Sequence, residues 1–396
     1  MADTGKSPPP ESSASPTSPE ATPPKAADIP TSPKAPQPPR SPTSPTTAEQ
    51  QPGSGQQSPP ELSPEAGILP ASHWQPLENV VNDADSAYSD AASSTASLTQ
   101  SILEYRTLHG RTFHREIGNA EAWIPNDDRH QELMDMDHHM AELMLDGKLY
   151  LAPLDHDKLS KVLDVGTGTG MWAIDFADAH PNAEVLGTDV SPIQPTWIPP
   201  NVKFELDDAN LNWTWGDNTF DFIHTRFLVG SIADWSKFYR EAFRCCKPGG
   251  WFEHQEPSAL IHSESLGVPP ENSPLDQMAK VYWEGGRKFG RTFRIYEDEI
   301  QRKGMEEAGF TDIVIKEIKV PLGTWPRDEK QKQLGQFAHA TITGDLEGYL
   351  LYMCSNVLGW TPVEVQVFCA HIRHQLRQPG LNPYVVRRIA YGRKPE

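Results

Sequence analysis

The chain has 396 residues and a formal net charge of −19, with 54 acidic side chains against 35 basic ones. Proteins that bind nucleic acid through its phosphates normally carry a basic face, so this balance argues against direct nucleic-acid binding. The sequence shows no signal peptide, no apolar run long enough to cross a membrane and no Cys-x-x-Cys pair, so we expect a soluble nuclear or cytoplasmic protein with no metal site.

The N-terminal segment is rich in proline, serine and threonine. Half of the 38 prolines lie in residues 1–70. Such a composition offers too little apolar surface to offset the entropy of ordering the chain, so we predict that residues 1–97 are disordered. Ser-Pro dipeptides recur along this segment, and we interpret it as a spacer that proline-directed kinases can modify.

Residues 98–160 are predicted to form a helical lid. Apolar residues at helical spacing over residues 98–105 predict a first short helix. A stripe of leucine and methionine over residues 128–149 predicts a longer helix, which ends near Gly147. The histidines on this longer helix point in different directions, which does not favour a metal site.

Strands and helices alternate from residue 161 onwards. The predicted strands are 161–165, 184–188, 202–206, 220–224, 251–255, 311–320 and 384–391, and the helices between them are 171–180, 234–246 and 297–308. Strands separated by helices of this length indicate a parallel sheet with right-handed crossovers. Residues 161–396 are therefore predicted to form one α/β domain, with a helical, aromatic insert at about residues 327–378.

A glycine-rich loop follows the first of these strands. The segment VLDVGTGTG places Gly166, Gly168 and Gly170 beyond the strand end, where glycine lets the backbone turn tightly or approach a ligand. A dinucleotide fingerprint requires a glycine at the position of Met171, so that interpretation is not favoured. Asp164 precedes the loop, and its carboxylate suits a ligand with an ammonium and a sulfonium group and would repel a pyrophosphate.

Acidic residues also end the second and third predicted strands. Asp189 ends the second strand, where a carboxylate can accept hydrogen bonds from both hydroxyls of a ribose. Asp208 and Ala209 follow the third strand, at a position suited to an adenine amino group. Each aspartate alone is also typical of a turn or a helix cap. Three acids and three glycines at consecutive strand ends together indicate a nucleotide-like ligand.

The segments VLDVGTGTG, TDVSP, LDDAN, NTFDFIHTR and CKPGGWFE resemble the successive motifs of class I S-adenosylmethionine-dependent methyltransferases. YRTLHGRTFH, SPIQPTWIPPN and GRKFGRTF resemble the fungal LaeA-like branch in particular, and the likeness covers about residues 103–392. The resemblance implies a Rossmann-like α/β fold with a seven-stranded, mostly parallel sheet of order 3-2-1-4-5-7-6, whose seventh strand is antiparallel. It also implies S-adenosyl-L-methionine as cofactor, with Asp164 and the three glycines at its methionine part, Asp189 at its ribose, and Asp208 with Ala209 at its adenine.

Residues near the ends of the fourth and fifth strands are candidates for the methyl-acceptor side. His254 and Glu256 are the catalytic candidates, with His224 and Arg226 beside them, and each could equally be a supporting polar residue at the rim. Aromatic residues of the lid and the insert are expected to wall an acceptor pocket or to pack in the core. They are Tyr105, His114, Trp123, Trp325, Tyr349, Tyr352 and Trp360.

Three functions are compatible with the sequence. The preferred one, on the resemblance and the long modifiable tail, is a LaeA-like methyltransferase that regulates fungal secondary metabolism in the nucleus with protein partners. The second is an O- or N-methyltransferase that acts on a small molecule of a natural-product pathway. The third is a scaffold subunit that binds the cofactor without turnover. The methyl acceptor itself is not identified by the sequence, because the acceptor side of this fold carries no universal motif.

Overall fold

The structure is a computed structural model, and it describes residues 67–77, 105–114 and 122–396. The prediction of disorder for residues 1–97 therefore lies mostly outside the described residues, as does the short helix predicted at 98–105. The elements, in chain order, are β1 Arg106–Leu108, β2 Arg111–Phe113, α1 Asp128–Met144, β3 Lys161–Val165, α2 Met171–Ala179, β4 Glu184–Asp189, β5 Val202–Leu206, β6 Phe220–Arg226, α3 Trp235–Cys245, β7 Cys246–Ser263, α4 Pro274–Phe289, α5 Ile300–Ala308, β8 Thr311–Pro321, α6 Glu329–Gly344, α7 Leu346–Leu351, a π-helical turn Tyr352–Val357, α8 Pro362–Leu376 and β9 Pro383–Arg393.

Seven strands form one sheet in the order β5-β4-β3-β6-β7-β9-β8, and β1 and β2 form a separate pair. The strands from β5 to β7 pair in parallel, whereas β9 is antiparallel to both β7 and β8. Counted along the chain from β3, this is the order 3-2-1-4-5-7-6 with an antiparallel seventh strand. The predicted Rossmann-like α/β fold is therefore confirmed.

The central strands are buried on both faces, which explains their continuous apolar sequences. In β3 the side chains of Val162, Leu163 and Val165 are buried, and Asp164 is the buried polar exception. The core has one large cluster, which also takes in the α6–α8 insert, and a smaller cluster built around Trp172 of α2. None of the helices in the described residues is long and apolar enough to cross a membrane.

The lid contains a β-hairpin within the segment expected to be helical. β1 and β2 are joined by His109 and Gly110, whose φ angles are 50° and 80°. Two consecutive residues at positive φ form a type I′ turn, whose twist matches that of paired antiparallel strands. The description of the lid as helical is therefore wrong for residues 106–113. The longer helix of the lid is present as α1, and Gly147 follows it with a φ of 78°.

One helix of the sheet-covering layers, α4, was not predicted from the sequence. Its start carries recognisable signals: Ser273 accepts a hydrogen bond from the amide of Asp276, and Pro274 occupies the first helical position. Gly290 ends the helix in the left-handed conformation, with a φ of 75°. These capping residues would have located the helix.

Residues 67–77 pack on the folded domain, although they fall in the segment predicted to be disordered. The side chains of Ile68 and Trp74 are buried, and the Trp74 ring lies 4.9 Å from the ring of Phe368 on α8. The amide of Leu69 donates a hydrogen bond of 2.7 Å to Gln277 on α4. The disorder prediction is wrong for these eleven residues, because the large apolar side chains of Ile68 and Trp74 give them buried surface.

Candidate functional site

A cavity of about 200 Å3 lies at the carboxyl ends of the parallel strands, where ligands bind in open α/β sheets. Its wall combines the loop after β3, the ends of β4 and β6, the loop after β5, and part of α1. It contains most of the predicted cofactor residues, namely Gly166, Gly168, Asp189, Asp208 and Ala209, together with His138, Arg226 and Tyr349. Two predicted residues, Asp164 and Gly170, do not line it.

The glycines of the loop have different structural roles. Gly166 has a φ of 72°, and a Cβ there would lie 2.4 Å from Leu228, so a larger residue would be both strained and crowded. Gly170 precedes α2 with a φ of 85°, and a Cβ there would lie 2.4 Å from the ring of Phe204. Gly170 therefore permits the close packing of α2 on the sheet instead of touching a ligand in the first cavity.

Asp189 is held at the cavity wall by backbone donors. Its carboxylate accepts hydrogen bonds of 2.9 Å from the amides of Gly168 and Ser191. Withdrawal from water raises the pKa of Asp189 to about 6, although these two amides favour its ionised form. The carboxylate is thus fixed in place beside the glycine loop, as a contact to ribose hydroxyls would require.

Asp208 presents an unsatisfied acceptor on the same cavity wall. Its Oδ1 accepts hydrogen bonds of 2.9 Å from the amide and the side chain of Asn210. Its Oδ2 is buried and has no hydrogen-bond partner among the residues that the structure describes. Buried polar atoms are nearly always paired, so we expect a ligand to donate a hydrogen bond to this oxygen. An adenine amino group, which the sequence predicted at this position, has the required chemistry.

Asp164 shapes the glycine loop from behind. Its side chain is buried, with Oδ1 2.7 Å from Nδ1 of His224 and Oδ2 accepting a 2.7 Å hydrogen bond from Thr167. His224 stacks on the ring of Trp172 at 3.8 Å, and burial lowers the pKa of its imidazole. Both oxygens of Asp164 therefore have partners within the protein. This geometry corrects the expectation that Asp164 contacts the cofactor directly and that His224 reaches the acceptor.

His254 and Glu256 form a fully buried pair that does not line the cavity. The His254 ring lies 2.8 Å from the hydroxyl of Tyr239 through Nδ1 and 2.9 Å from Glu256 through Nε2. Glu256 also accepts hydrogen bonds from the amides of Leu228 and Val229, which follow β6. With their polar atoms engaged and no exposed surface, neither residue can reach a substrate in this structure. Their geometry corrects the catalytic assignment made from the sequence and indicates that they brace the β6 loop.

Arg226 and His138 form a polar pair at the cavity wall, and the sequence analysis singled out only Arg226 as a site residue. Arg226 lines the first cavity with Nη2 3.3 Å from Nδ1 of His138, and Nε2 of His138 lies 2.8 Å from Asp175. The ion pairs between described residues do not include Arg226, and its withdrawal from water lowers its pKa. His138, Asp175 and Glu142 are close enough to hold a cation together, but His138 already has partners at both ring nitrogens.

A second cavity, of about 110 Å3, adjoins the first. Asp137, Phe227 and Tyr349 line both cavities. The wall of the second one is mainly apolar, and its charged side chains are Asp137 and Arg387. Of the aromatic residues singled out in the sequence, Trp123 and Tyr349 line a cavity. The others line neither: Tyr105, His114, Trp325, Tyr352 and Trp360.

Comparison with known proteins identifies the family. A family model described as a methyltransferase domain matches residues 136–314. The methyltransferase pytC of Aspergillus terreus is 35% identical over 322 residues, which are 81% of this chain and 98% of the relative. The secondary metabolism regulator LAE1 of Cochliobolus heterostrophus is 33% identical over 294 residues, 73% of this chain and 94% of the relative. This chain belongs to the LaeA-like methyltransferases.

The relatives of this LaeA-like methyltransferase include both regulators and enzymes by name. Some are named as secondary metabolism regulators, such as LAE1, and others as methyltransferases, such as pytC. Among solved structures, a phosphoethanolamine N-methyltransferase 2 of Haemonchus contortus matches with a TM-score of 0.39 and 16% identity, over 72% of this chain and 62% of that one.

Proposed function

We propose that this LaeA-like methyltransferase uses S-adenosylmethionine as its methyl donor and binds it in the first cavity. The observation that carries the proposal is the unpartnered, buried Oδ2 of Asp208 beside the fixed carboxylate of Asp189 and the glycine loop. Adenosine brings an amino group and two hydroxyls, which are donors for these two acids. Arg226 contacts His138 but forms no ion pair with a described residue, and a methionine carboxylate would supply one.

Each of these groups would act by binding and orienting. Asp189 would accept from the ribose hydroxyls, Asp208 from the adenine amino group, and Arg226 would donate to the carboxylate. The bound donor supplies an electrophilic methyl group on a sulfonium, so the protein mainly has to align it with the acceptor. Alignment of this kind lowers the activation free energy of a reaction between two molecules by about 7–11 kcal/mol.

Calorimetric titration of the full chain with S-adenosylmethionine tests this function, and NADH serves as the control ligand. We expect micromolar affinity for the first and no binding of the second, because the loop lacks the glycine that a dinucleotide requires. Tight NADH binding, or no heat with S-adenosylmethionine, would contradict the proposal.

For the biological role we propose regulation of secondary metabolism in the nucleus, together with protein partners. Support comes from LAE1, which is named a secondary metabolism regulator and shares 33% identity with this chain. Removal of the gene from the source organism should then lower many secondary metabolites together with their biosynthetic transcripts. A chain confined to the cytoplasm would speak against the role.

A pathway enzyme that methylates one small molecule is the second candidate. The apolar second cavity beside the first favours it, as does the likeness to pytC. In that case, loss of the gene should remove one methylated product and leave the remaining metabolites unchanged. A scaffold without turnover is less favoured, because a second cavity that could hold an acceptor adjoins the first.

A further inference from the structure

The second cavity combines an aromatic wall with a single charged end. The rings of Trp123 and Phe293 meet edge to face at 4.9 Å, and Tyr282 stacks on Phe293 at 5.2 Å. All three side chains line the cavity. A flat apolar molecule would bury its surface against these rings, which is a large part of the binding energy of such ligands.

The charged end is the guanidinium of Arg387 on β9. Arg387 is 9% exposed, and its Nη2 donates to Oδ1 of Asp137 on α1. Its Nε is buried and has no hydrogen-bond partner in the part of the chain that the structure describes. A buried donor of this kind costs free energy unless a ligand pairs with it. The cavity therefore has a place for an oxygen acceptor.

This guanidinium lies toward the first cavity. Its partner Asp137 lines both cavities, and so does Phe227, whose ring centroid is 5.8 Å from the guanidinium carbon of Arg387. Asp137 and Arg387 also lie close enough to Arg226 to act on its pKa, which the carboxylate raises and the guanidinium lowers. An oxygen bound by Arg387 would thus be at the end of the cavity from which a methyl group arrives.

The charges near the junction favour an anionic acceptor over a cationic one. The carboxylates that act on Arg226 are Asp137, Asp164 and Glu142, and of these three only Asp137 lines a cavity. The sulfonium of the donor would add a positive charge beside Arg226 and Arg387. An ionised oxygen would be stabilised by the sulfonium and by Arg387, whereas both would repel the charged end of a lysine or arginine side chain.

We propose that the second cavity holds the methyl acceptor, and that the acceptor is an apolar ring compound with an acidic hydroxyl, a phenol or an enol. This inference rests on the proposed function. The hydroxyl proton leaves to solvent, and Nε of Arg387 donates to the resulting oxyanion. The oxygen forms a bond to the methyl carbon as the carbon–sulfur bond breaks, and the electron pair of that bond goes to sulfur.

Equilibrium dialysis tests the proposal. The full chain, with S-adenosylhomocysteine present, is dialysed against one of two probes, 2-naphthol or naphthalene. The probes share their rings and differ in the hydroxyl. Arg387→Met should weaken 2-naphthol binding about tenfold and leave naphthalene unchanged, because only the first accepts from the guanidinium. The matched control is Arg302→Met, at an exposed arginine of α5, and it should bind both probes like the unaltered protein. Equal 2-naphthol affinity in Arg387→Met would overturn the role of Arg387.

A second variant tests the cavity without touching the ion pair. Ala259 lines the second cavity, and Ala259→Leu should fill it and abolish binding of both probes, whereas Ala233→Leu at an exposed site should not. Both variants should keep the affinity of the unaltered chain for S-adenosylhomocysteine, which shows that they fold. Undiminished probe binding in Ala259→Leu would place the acceptor elsewhere. Failure of the unaltered chain to bind S-adenosylhomocysteine would instead refute the proposed function, while the probes still report on the cavity.

Discussion

Arg387 of β9 and Asp137 of α1 form an ion pair that ties the antiparallel end of the sheet to the lid. Their side chains are only 11% and 17% exposed, so the two charges are largely removed from water. A pair of this kind is costly to break from one side, because the remaining charge stays buried without a partner. Asp137 lines both cavities and Arg387 lines the second one, so the same contact supports both stability and the site.

Replacement of Asp137 by asparagine should therefore lower the free energy of unfolding by about 3 kcal/mol. Urea unfolding of the full chain measures this. The control is Asp146→Asn, which breaks a pair with Lys330 between side chains that are 71% and 52% exposed. Exposed pairs contribute less than about 1 kcal/mol, so this variant should be almost as stable as the original. Equal losses in the two variants would show that Asp137 is not effectively buried.

At the ribose position, Asp189→Asn should weaken binding of S-adenosylmethionine by about 2 kcal/mol, since hydroxyl donors then meet a neutral acceptor instead of a charged one. The amides of Gly168 and Ser191 donate to different oxygens of Asp189, so asparagine can keep only one of these two hydrogen bonds. Calorimetry measures the change, with Asp217→Asn at an exposed site as the control. Undiminished affinity would mean that Asp189 does not contact the cofactor.

The same carboxylate should make cofactor binding depend on pH. Burial raises the pKa of Asp189 to about 6 in the free protein, so it takes up a proton as the pH falls through that value. Hydroxyl donors stabilise the ionised form, so affinity should rise as the pH increases through 6 and be constant above about 7. Titrations from pH 5 to 8 measure this profile. Asp189→Asn should lose the rise around pH 6, and a profile identical in both proteins would assign it to another group.

The fold could be predicted because its sequence signals are local. Strands buried on both faces read as apolar runs, and a sheet whose strands are separated by helices has few permitted topologies. The loop VLDVGTGTG and the acids at Asp189 and Asp208 could also be located, since carboxyl ends of parallel strands meet at one edge. The hairpin at His109 and Gly110 has a weaker signal, because Gly110 suits the positive φ of its turn but His109 is not a residue that this turn prefers.

The direction in which a polar side chain points could not be predicted. The sequence predicted His254 and Glu256 near a strand end, but both lie within β7, which continues to Ser263. His254 contacts Tyr239 of α3 there, and its other ring nitrogen contacts Glu256. The contact between Asp137 and Arg387 joins residues 250 positions apart, and no spacing in the sequence reports it. The residues that surround the methyl acceptor can therefore be identified only from the folded structure.

If the buried pair His254 and Glu256 is structural, Glu256→Gln should destabilise the protein without changing cofactor affinity. Glutamine keeps the shape of the side chain but weakens its bonds to two backbone amides and to His254, at a cost of about 2 kcal/mol. Urea unfolding and calorimetry with S-adenosylhomocysteine measure the two quantities. A loss of turnover with unchanged stability would restore the catalytic role that the sequence suggested.

Finally, the segment 67–77 should contribute to stability although the chain before it should not. Trp74 is 7% exposed and packs on Phe368 of α8, so Trp74→Ala should lower the free energy of unfolding by about 3 kcal/mol. Thermal and urea unfolding of the full chain measure this, with Trp197→Ala as the control, because Trp197 is 91% exposed.

Removal of residues 1–66 should leave the unfolding curve unchanged, whereas removal of residues 1–77 should shift it as Trp74→Ala does. A chain that tolerates the longer deletion would show that these residues do not remain docked on α4 and α8.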